Sequence, residues 1–390
     1  MSKFTYLVTV SFFAMLISLS YASLTITTFP TNIVAAVPIT FYNNQNTAVA
    51  TNTPLAVGVD AGGNILGFNA ANTAYQQYET CNLNNAEFFL ANGMVLNSWM
   101  EGNVLNEGAA NALCTSDSSA NALAASANIL YWVDAPAGFL AANTGTQVTN
   151  TLYLGWAGNV ISTANTLLSN SIGAGEAPQL SSTYAQYDNG AEVFPYYQAW
   201  GGLSALPTGW SEVSGTVVTY NPTYAEIAPS QTVNGWYGIY FNPIPASLSS
   251  SSTVWEFYGN MYDSIFAGSY IGTSTNQAGS WYGYSFSEGY SAANTNSIYL
   301  ANNGNQFEDS TSYSDTNTNK MYTVSMASAT SLAMQINYSN IYTTTAASSE
   351  APTYFNLAPS NNGGSRPSST QYIYWLRTRI YPPNGILPLN

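Results

Sequence analysis

Short runs of β-branched and aromatic residues, separated by Asn, Gly, Ser and Pro, recur along the chain and constrain its fold more than any other feature. Such runs are Asn128 to Asp134, Thr151 to Trp156, Trp236 to Phe241, Val254 to Tyr258 and Ser297 to Leu300. This alternation of strand and turn signals is typical of β-sandwiches. Helical periodicity is largely missing, and the Ala-rich segment Asn106 to Ala127 also carries Ser, Asn and Gly, which favour a short helix or a loop. The sequence therefore predicts an all-β fold of two jelly-roll-like sandwiches.

Two local patterns predict how individual strands are oriented. Glu87 to Leu90 and Met94 to Leu96 flank the dipeptide Asn92-Gly93, which predicts a hairpin. Residues alternate in Gln371 to Ile380, the clearest strand. The alternation puts Tyr372, Tyr374, Leu376, Thr378 and Ile380 on one face, and Trp375, Arg377 and Arg379 on the other.

Residues 1–22 match the pattern of a signal peptide. Lys3 supplies the basic start, Leu7 to Leu19 is a short apolar run, and Ser20 and Ala22 fit the small-residue cleavage rule. An uncleaved anchor helix is the alternative. No apolar segment closes the chain, so we expect no C-terminal anchor and a product that is either released or held by partners.

A chain of 390 residues is long enough for two β domains. Gly173, Gly175, Pro178 and Ser181-Ser182 interrupt the strand pattern near its middle. We therefore predict an N-terminal β-sandwich domain over residues 23–172 and a second sandwich over residues 176–390.

The chain is unusually poor in charge: 6% of its residues are charged, against about 25% in typical proteins. Five basic residues face nineteen acidic ones, and no Lys or Arg lies between Lys3 and Lys320. Nucleic acid is excluded as a partner and an anionic membrane is disfavoured, because both need clustered basic side chains. A chain with few basic groups does not repel itself in acid. We therefore expect an acidic extracellular setting; a neutral surface selected for dense packing is the alternative.

Catalytic chemistry is largely absent from the sequence. The chain has no His, which removes Ser-His-Asp and Cys-His catalysis and every His-ligated metal site. Glycosidases need two carboxylates, and Glu256 and Asp263 are the nearest candidates, but a lone Glu on an aromatic strand more often has a structural role. We predict that the chain is not an enzyme and has no cofactor. Calcium binding is a weak alternative, with Asp188, Glu308 and Asp309 as candidate ligands.

Two covalent features are predicted for an exported chain. Cys81 and Cys114 are the two cysteines, and we expect them to form a disulfide that stabilises the fold by roughly 3–4 kcal/mol; two free buried thiols are the alternative. Asn337-Tyr338-Ser339 is the one usable N-glycosylation sequon, because proline blocks Asn221-Pro222-Thr223.

Arg377 and Arg379 are predicted to anchor the last strand to acidic groups. They lie two residues apart and so project from the same face of the strand. A buried Arg must be paired with acceptors. Two solvated arginines beside Trp375 are the alternative.

Several separated phrases resemble a known family. They are LNNAEFFLANGMVLNSWME from Leu83, ILYWVDAP from Ile129, TLYLGWAG from Thr151, GEAPQLSSTYAQYDNGAEVFP from Gly175 and WLRTRIYPPNGILP from Trp375. Together they look like a family of archaeal secreted surface proteins, which joins an N-terminal β-sandwich domain of unknown function to a concanavalin-like (lectin or glucanase type) β-sandwich. The resemblance implies an exported, surface-associated β-sandwich protein and supplies no ligand or catalytic residue.

Three functions are compatible with these observations. The first is a structural or adhesive surface protein, such as a filament or appendage subunit, that associates with itself or with other surface proteins. The second is a carbohydrate-binding module, in which exposed aromatic rings stack beneath sugars. Its candidate rings are Trp236, Tyr237, Trp255 and Trp281, each of which could instead be an ordinary core aromatic. The third is a viral spike or attachment protein.

The start of the mature chain is a candidate assembly strand. Residues 23–29 have high β propensity and no charge, and Leu24, Ile26 and Phe29 are their large apolar members. An uncharged strand at a chain end aggregates unless something pairs with it. It either completes its own sheet or is donated to a groove in a neighbouring subunit.

Overall fold

The structure is a computed structural model that describes residues 28–30, 33–50, 53–61, 64–72, 78, 83, 85–103, 128–157, 175–176, 188–230, 235–244, 253–262, 269–274, 283–288, 298–302, 305–309, 319–328, 331–344, 354–361, 369–380, 387–388 and 390. Nearly all regular structure in these residues is β-strand, which confirms the predicted all-β class. The predicted signal peptide, the Ala-rich segment 106–127 and both cysteines lie outside the described residues.

Two four-stranded sheets contain the described strands that precede residue 177. The first small sheet consists, in spatial order, of β1 (Ile33–Asn43), β7 (Val148–Ala157), β3 (Ala86–Phe89) and β4 (Val95–Leu96). The second small sheet consists of β2 (Pro54–Ala56), β6 (Ile129–Asp134), β5 (Ser98–Asn103) and β8 (Gly175–Glu176). Strand β8 pairs in parallel with β5. Residues at the predicted domain boundary thus pair with a strand of the predicted N-terminal domain.

Two eight-stranded sheets contain the later strands that the structure describes. The first large sheet consists, in spatial order, of β11 (Thr216–Tyr220), β12 (Ala225–Pro229), β24 (Thr370–Ile380), β15 (Thr253–Tyr262), β20 (Lys320–Ser328), β21 (Ser331–Ile336) and β22 (Ser339–Thr344), with β9 (Tyr196–Ala199) also paired to β24. The second large sheet consists of β10 (Trp210–Glu212), β14 (Ile239–Phe241), β23 (Tyr354–Asn361), β16 (Ser269–Ser274), β17 (Gly283–Glu288), β18 (Ile298–Asn302) and β19 (Asn305–Asp309), with β13 (Gly235–Trp236) paired to β23. One short helix, α1 (Gly190–Val193), precedes β9.

Ring contacts define the order in which the sheets stack. Tyr131 of the second small sheet packs on Phe88 of the first, with ring centroids 5.2 Å apart. On the other face of β6 and β5, Trp99 packs edge-on against Trp375 of the first large sheet at 5.1 Å. Trp255 of the first large sheet stacks on Phe355 of the second at 4.6 Å. The four sheets therefore form successive layers, and the second small sheet is covered on both faces.

The covered second small sheet explains a feature of its sequence. The run Ile129-Leu130-Tyr131-Trp132-Val133 in β6 is apolar at every position, and each of these residues is buried. A strand buried on both faces has no need to alternate polar and apolar residues. Alternation returns in β1, where Ile39 and Phe41 face the core and Val34 is exposed.

A β-bulge in β24 corrects the predicted faces of this strand. Tyr258 of β15 is opposite Trp375, but the next residue, Gly259, is opposite Ile373, so Tyr374 is the extra residue. Ile373 and Leu376 both face the core between the large sheets. Tyr372 and Tyr374 therefore do not share the face of Leu376, contrary to the strict alternation expected from the sequence.

We expect Gly259→Ala to destabilise the protein by roughly 3 kcal/mol, because a Cβ at this position would overlap the carbonyl oxygen of Tyr372 in the bulge. Urea denaturation should detect the loss. Gly235→Ala is the matched control, since its Cβ would lie at an ordinary 3.5 Å from the nearest atom, the Tyr237 hydroxyl oxygen. Equal stability of both variants would contradict the bulge geometry.

Candidate functional site

The side chain of Arg377 is completely buried between the second small sheet and the first large sheet. Its Nη2 lies 2.7 Å from Oε2 of Glu101, on β5, and its Nε lies 2.6 Å from Oε2 of Glu256, on β15. The Nε of Arg379 donates to the other oxygen of Glu256 at 3.0 Å. These ion pairs join the two layers, and we call the group formed by Arg377, Arg379, Glu101 and Glu256 the Arg377 cluster.

Aromatic rings enclose the Arg377 guanidinium. Its central carbon lies 4.5–5.1 Å from four ring centroids, those of Phe194, Trp375, Trp132 and Trp99. Within the described residues its Nη1 is buried and makes no hydrogen bond. A guanidinium that is weakly hydrated and planar tolerates such an environment because the ring faces attract its charge.

Tyr338 closes the cluster from the turn between β21 and β22. Its hydroxyl donates to Oε1 of Glu101 at 2.5 Å and accepts from Nη2 of Arg377 at 2.9 Å. The indole N–H of Trp132 donates to Oε2 of Glu101 at 2.8 Å. Tyr338 has a φ of 61°, in the left-handed region that costs a non-glycine residue energy. Its two hydrogen bonds offset that cost.

The cluster keeps its charges. Burial alone would raise the pKa of Glu256, but the opposite charges and hydrogen bonds of Arg377 and Arg379 outweigh burial and hold the pKa below its ordinary value. Burial likewise disfavours the charged form of Arg377, and Glu101 and Glu256 raise its pKa above the ordinary value. Each of these two groups thus favours the charged form of the other.

Asp188 lies beside this cluster, in the turn before α1. Its carboxylate accepts hydrogen bonds from the indole N–H of Trp99 at 2.8 Å, the hydroxyl of Tyr197 at 2.6 Å and the backbone N–H of Gly190 at 3.0 Å. Burial raises its pKa to about 6, against the opposing effect of these hydrogen bonds. The sequence analysis proposed Asp188 as a calcium ligand. In the structure its carboxylate instead accepts three hydrogen bonds from the protein, as a carboxylate with a structural role does.

A row of tyrosines lies on the same face of the first large sheet, beyond the bulge. Tyr224, which precedes β12, packs on Tyr374 and Tyr372 of β24 with ring centroids 5.4 and 5.7 Å apart. Each of these three rings is partly exposed. Tyr374 also packs on buried Tyr258 at 5.5 Å, and Tyr258 stacks on Trp375 at 5.7 Å. A continuous chain of rings thus connects the Arg377 cluster to the surface.

Polar residues lie directly opposite Tyr372 on the two neighbouring strands. Glu226 of β12 is directly opposite Tyr372 on one side, and Asn260 of β15 is opposite it on the other. Thr219 of β11 is in turn opposite Glu226. Directly opposite residues of antiparallel strands point to the same face of a sheet. We call the surface formed by Tyr224, Tyr372, Tyr374, Glu226 and Thr219 the tyrosine face; Asn260 is buried beside it.

The sugar-stacking rings expected from the sequence are placed differently. Trp255 is 4% exposed and stacked on Phe355 in the core, and Tyr237 is 8% exposed, so neither offers a ring face to a ligand. Trp236 is partly exposed on β13, and Trp281 lies outside the described residues. Trp255 and Tyr237 are therefore corrected to core residues: Trp255 faces the core from β15, and Tyr237 is buried between β13 and β14.

The remaining predicted sites are dispersed. Asn337 is exposed in the β21–β22 turn, where its side-chain oxygen accepts from the Met321 N–H, and its glycosylation stays a prediction. Phe29 packs on Phe89 of its own chain at 6.1 Å, while Leu24 and Ile26 lie outside the described residues. Glu308 and Asp309 lie in β19.

Metal-ligand clusters and membrane-spanning helices are both absent from the part of the chain that the structure describes. No three His, Cys, Asp or Glu residues come close enough together in this part of the chain to bind a metal ion. No helix there has both the length and the hydropathy to cross a lipid bilayer.

Sequence comparison identifies no relative: no family model matches the chain, and no curated protein matches it. The resemblance to an archaeal surface-protein family therefore stays a prediction.

Solved structures overlap with about half of the chain. Apo Crh5 transglycosylase has 16% identity and a TM-score of 0.34 over 47% of this chain and 83% of its own. The Emp47p carbohydrate recognition domain has 12% identity and a TM-score of 0.35 over 47% of this chain and 95% of its own. The CBM2 module of the evolved Dit of Lactobacillus casei BL23 phage J-1 has 13% identity, a TM-score of 0.35 and the same two coverages. Because these TM-scores are low, we base the proposed function on this chain's own residues.

Sequence reasoning singled out Arg377 and Arg379 but missed their partners and the tyrosine face. Glu101 and Tyr338 are 237 residues apart in the chain, and no local pattern connects them. The tyrosine face did leave a signal, because Tyr372 and Tyr374 alternate in the clearest strand and Tyr224 precedes a run of strand formers.

We expect Arg377→Ala to destabilise the protein by about 3–5 kcal/mol, because it leaves Glu101 and Glu256 buried without their shared cation. Urea denaturation followed by tryptophan fluorescence should reveal the loss, together with a second transition as the layers uncouple. Arg379→Ala is the matched control and should cost less, since Arg379 makes one of the three ion pairs. Unchanged stability of Arg377→Ala would contradict the anchoring role.

We expect stability to rise as the pH falls from about 7.5 to 5. Glu87 of β3 is 3% exposed, and burial raises its pKa to about 7. The folded state therefore binds a proton that the unfolded state releases between pH 4.5 and about 7, and Glu87 contributes about 3 kcal/mol to the change. Asp188 adds to it in the same direction. Below pH 4.5, the unfolded pKa of a Glu, the change in stability with pH reverses its sign. The folded pKa of Glu256 is lowered, so protonating Glu256 costs stability.

Melting temperatures across this pH range check the expectation. Glu87→Gln should remove most of the gain in acid, whereas Glu212→Gln, at an exposed position on β10, should leave it intact. A wild-type melting temperature that falls steadily from pH 7.5 to 5 would refute the assignment.

Proposed function

We propose that this chain is a non-catalytic extracellular adhesive protein that binds carbohydrate through the tyrosine face. The observation that carries the proposal is the set of three partly exposed rings, Tyr224, Tyr372 and Tyr374, fixed side by side on one face of a sheet.

Tyrosine rings suit a sugar ligand for two reasons. The apolar faces of sugar rings stack on aromatic rings, and the phenol hydroxyl can hydrogen bond the sugar's own hydroxyls. Two neighbouring polar side chains, the exposed Thr219 and the partly exposed Glu226, add hydrogen-bonding groups beside Tyr372. A site that is mostly aromatic with a few polar groups is the usual composition of a small-ligand site.

Rigid support favours recognition by this face. Tyr374 shares a hydrogen bond with the Asn319 side chain, and the Trp200 backbone N–H donates to the Tyr374 carbonyl. Tyr258 and Trp375 pack beneath it and connect it to the Arg377 cluster. Side chains held in this way lose little conformational entropy on binding, and that favours affinity.

The absence of catalysis is part of the proposal. The chain has no His. Glu256, one of the two acids considered for glycoside hydrolysis, bridges Arg377 and Arg379 and is completely buried. A carboxylate with both oxygens engaged by cations is not available as an acid or a nucleophile.

Export to an acidic surface environment also stays a proposal, supported by the signal-like start and by the scarcity of basic residues. A filament or appendage subunit is the second candidate. It is supported less, because Phe29, at the end of the candidate assembly strand, packs on Phe89 of its own chain.

We expect Tyr372→Ala and Tyr224→Ala each to weaken binding to neutral polysaccharides by about tenfold, because each removes one stacking ring. A glycan array followed by titration calorimetry on the full chain should measure this. Tyr240→Ala, which removes a partly exposed ring on the second large sheet, is the matched control and should bind normally. Failure of the wild-type chain to bind any glycan would refute the proposed function.

A further inference from the structure

We infer that Glu226 determines the ligand class of the tyrosine face, which takes a neutral glycan through two adjacent hydroxyls and rejects anionic glycans. The inference rests on the proposed function and adds to it the chemical class of the ligand and the residue that selects it.

The position of Glu226 points its side chain toward the same surface as Tyr372. It lies directly opposite Tyr372 in the antiparallel β12–β24 pair. Its neighbours along β12, Ala225 and Ile227, are buried in the core between the large sheets, so Glu226 projects from the opposite face. Neighbouring strands lie about 5 Å apart, so the side chain of Glu226 stands beside that of Tyr372, on the side where the ring is partly exposed.

The carboxylate of Glu226 is available to a ligand. Among the described residues it takes part in no ion pair and no side-chain hydrogen bond. Glu256 of the same sheet differs sharply, since both of its oxygens are engaged by arginines. A partly exposed carboxylate beside aromatic rings can accept two hydrogen bonds from vicinal hydroxyls of a sugar stacked on those rings.

The charges around the tyrosine face disfavour an anionic ligand. Arg377 and Arg379 are buried and paired with acidic groups. Lys320 is also buried, and it shares the inward face of β20 with Tyr322, whose ring lies in the core. No basic side chain among the described residues is therefore placed to neutralise a carboxylate or sulfate approaching Glu226. The net charge of −14 adds long-range repulsion.

The side chains of the tyrosine face have the chemistry needed to bind a neutral sugar. Tyr372 supplies a ring to stack on, and Glu226 supplies an acceptor for hydroxyl hydrogens. Thr219 is exposed on the neighbouring strand β11, directly opposite Glu226, and adds a hydroxyl group beside the carboxylate. In a titration at neutral pH, hydrogen bonds to a carboxylate are stronger than those to a neutral amide, so Glu226 contributes more than Gln would at the same position.

The test uses a matched pair of polysaccharides, a neutral glucan and the same glucan oxidised at C6 to carry carboxylates. Titrations of the full chain at low ionic strength should give at least about tenfold weaker binding of the oxidised polymer, because like charges repel where screening is weak. Glu226→Gln should weaken binding of the neutral glucan by about tenfold and remove most of the discrimination against the oxidised one.

Glu212→Gln is the control, because it makes the same change of charge at an exposed position on β10, in the second large sheet. It should leave both affinities unchanged. If Glu226→Gln also leaves both unchanged while Tyr372→Ala loses binding, the inference is overturned and the proposed function stands. If the wild-type chain binds the oxidised polymer as tightly as the neutral one, the inference is overturned too. If the wild-type chain binds neither polymer nor any other glycan, both fail.

Discussion

The guanidinium of Arg377 has no contact with water, so every part of its charge must be met by groups of the protein. Glu101 comes from the second small sheet and Glu256 from the first large sheet, which means that the charge is balanced only when the two layers are together. A buried ion pair of this kind adds little net stability over apolar packing, but losing one partner is expensive. The Arg377 cluster therefore fixes how the layers sit on each other more than how strongly they adhere.

The strand that carries Arg377, β24, also carries two of the three rings of the tyrosine face, Tyr372 and Tyr374. The bulge at Tyr374 shifts the alternation of β24 by one residue. Trp375 and Tyr374 therefore both lie on the face toward the second small sheet, while Ile373 and Leu376 face the core between the two large sheets. Without the extra residue, one of the two aromatic rings would point inward. The rings of Trp375, Tyr258 and Tyr374 then pack in sequence from the buried charge to the surface. The partly exposed ring of Tyr374 is thus joined by ring contacts to the aromatic residues that surround the buried charge.

Sequence periodicity predicted the strands because alternation and turn residues are local signals. It placed β24 within one residue, from Gln371 to Ile380 against Thr370–Ile380, and it identified Arg377 and Arg379 as a same-face pair. It could not foresee the bulge, which depends on Gly259 of another strand giving room to the Tyr372 carbonyl. Nor could it separate Trp255, a core ring, from the partly exposed tyrosines, because both occur in similar aromatic runs. Partners such as Glu101 and Tyr338 are determined by how sheets stack, and no local pattern encodes that.

The scarcity of basic residues has a further consequence, which concerns cleavage of the chain by trypsin-like proteases. Proteases that cleave after Lys or Arg have five positions to attack in the whole chain. Lys320, Arg377 and Arg379 are buried within paired strands, where the backbone cannot enter a protease cleft without local unfolding. Arg366 is followed directly by Pro367, which hinders cleavage of that bond, and Lys3 lies in the signal-like start. Each Lys and Arg in the part of the chain that the structure describes is therefore buried, and trypsin-like proteases cannot reach these residues in the folded protein.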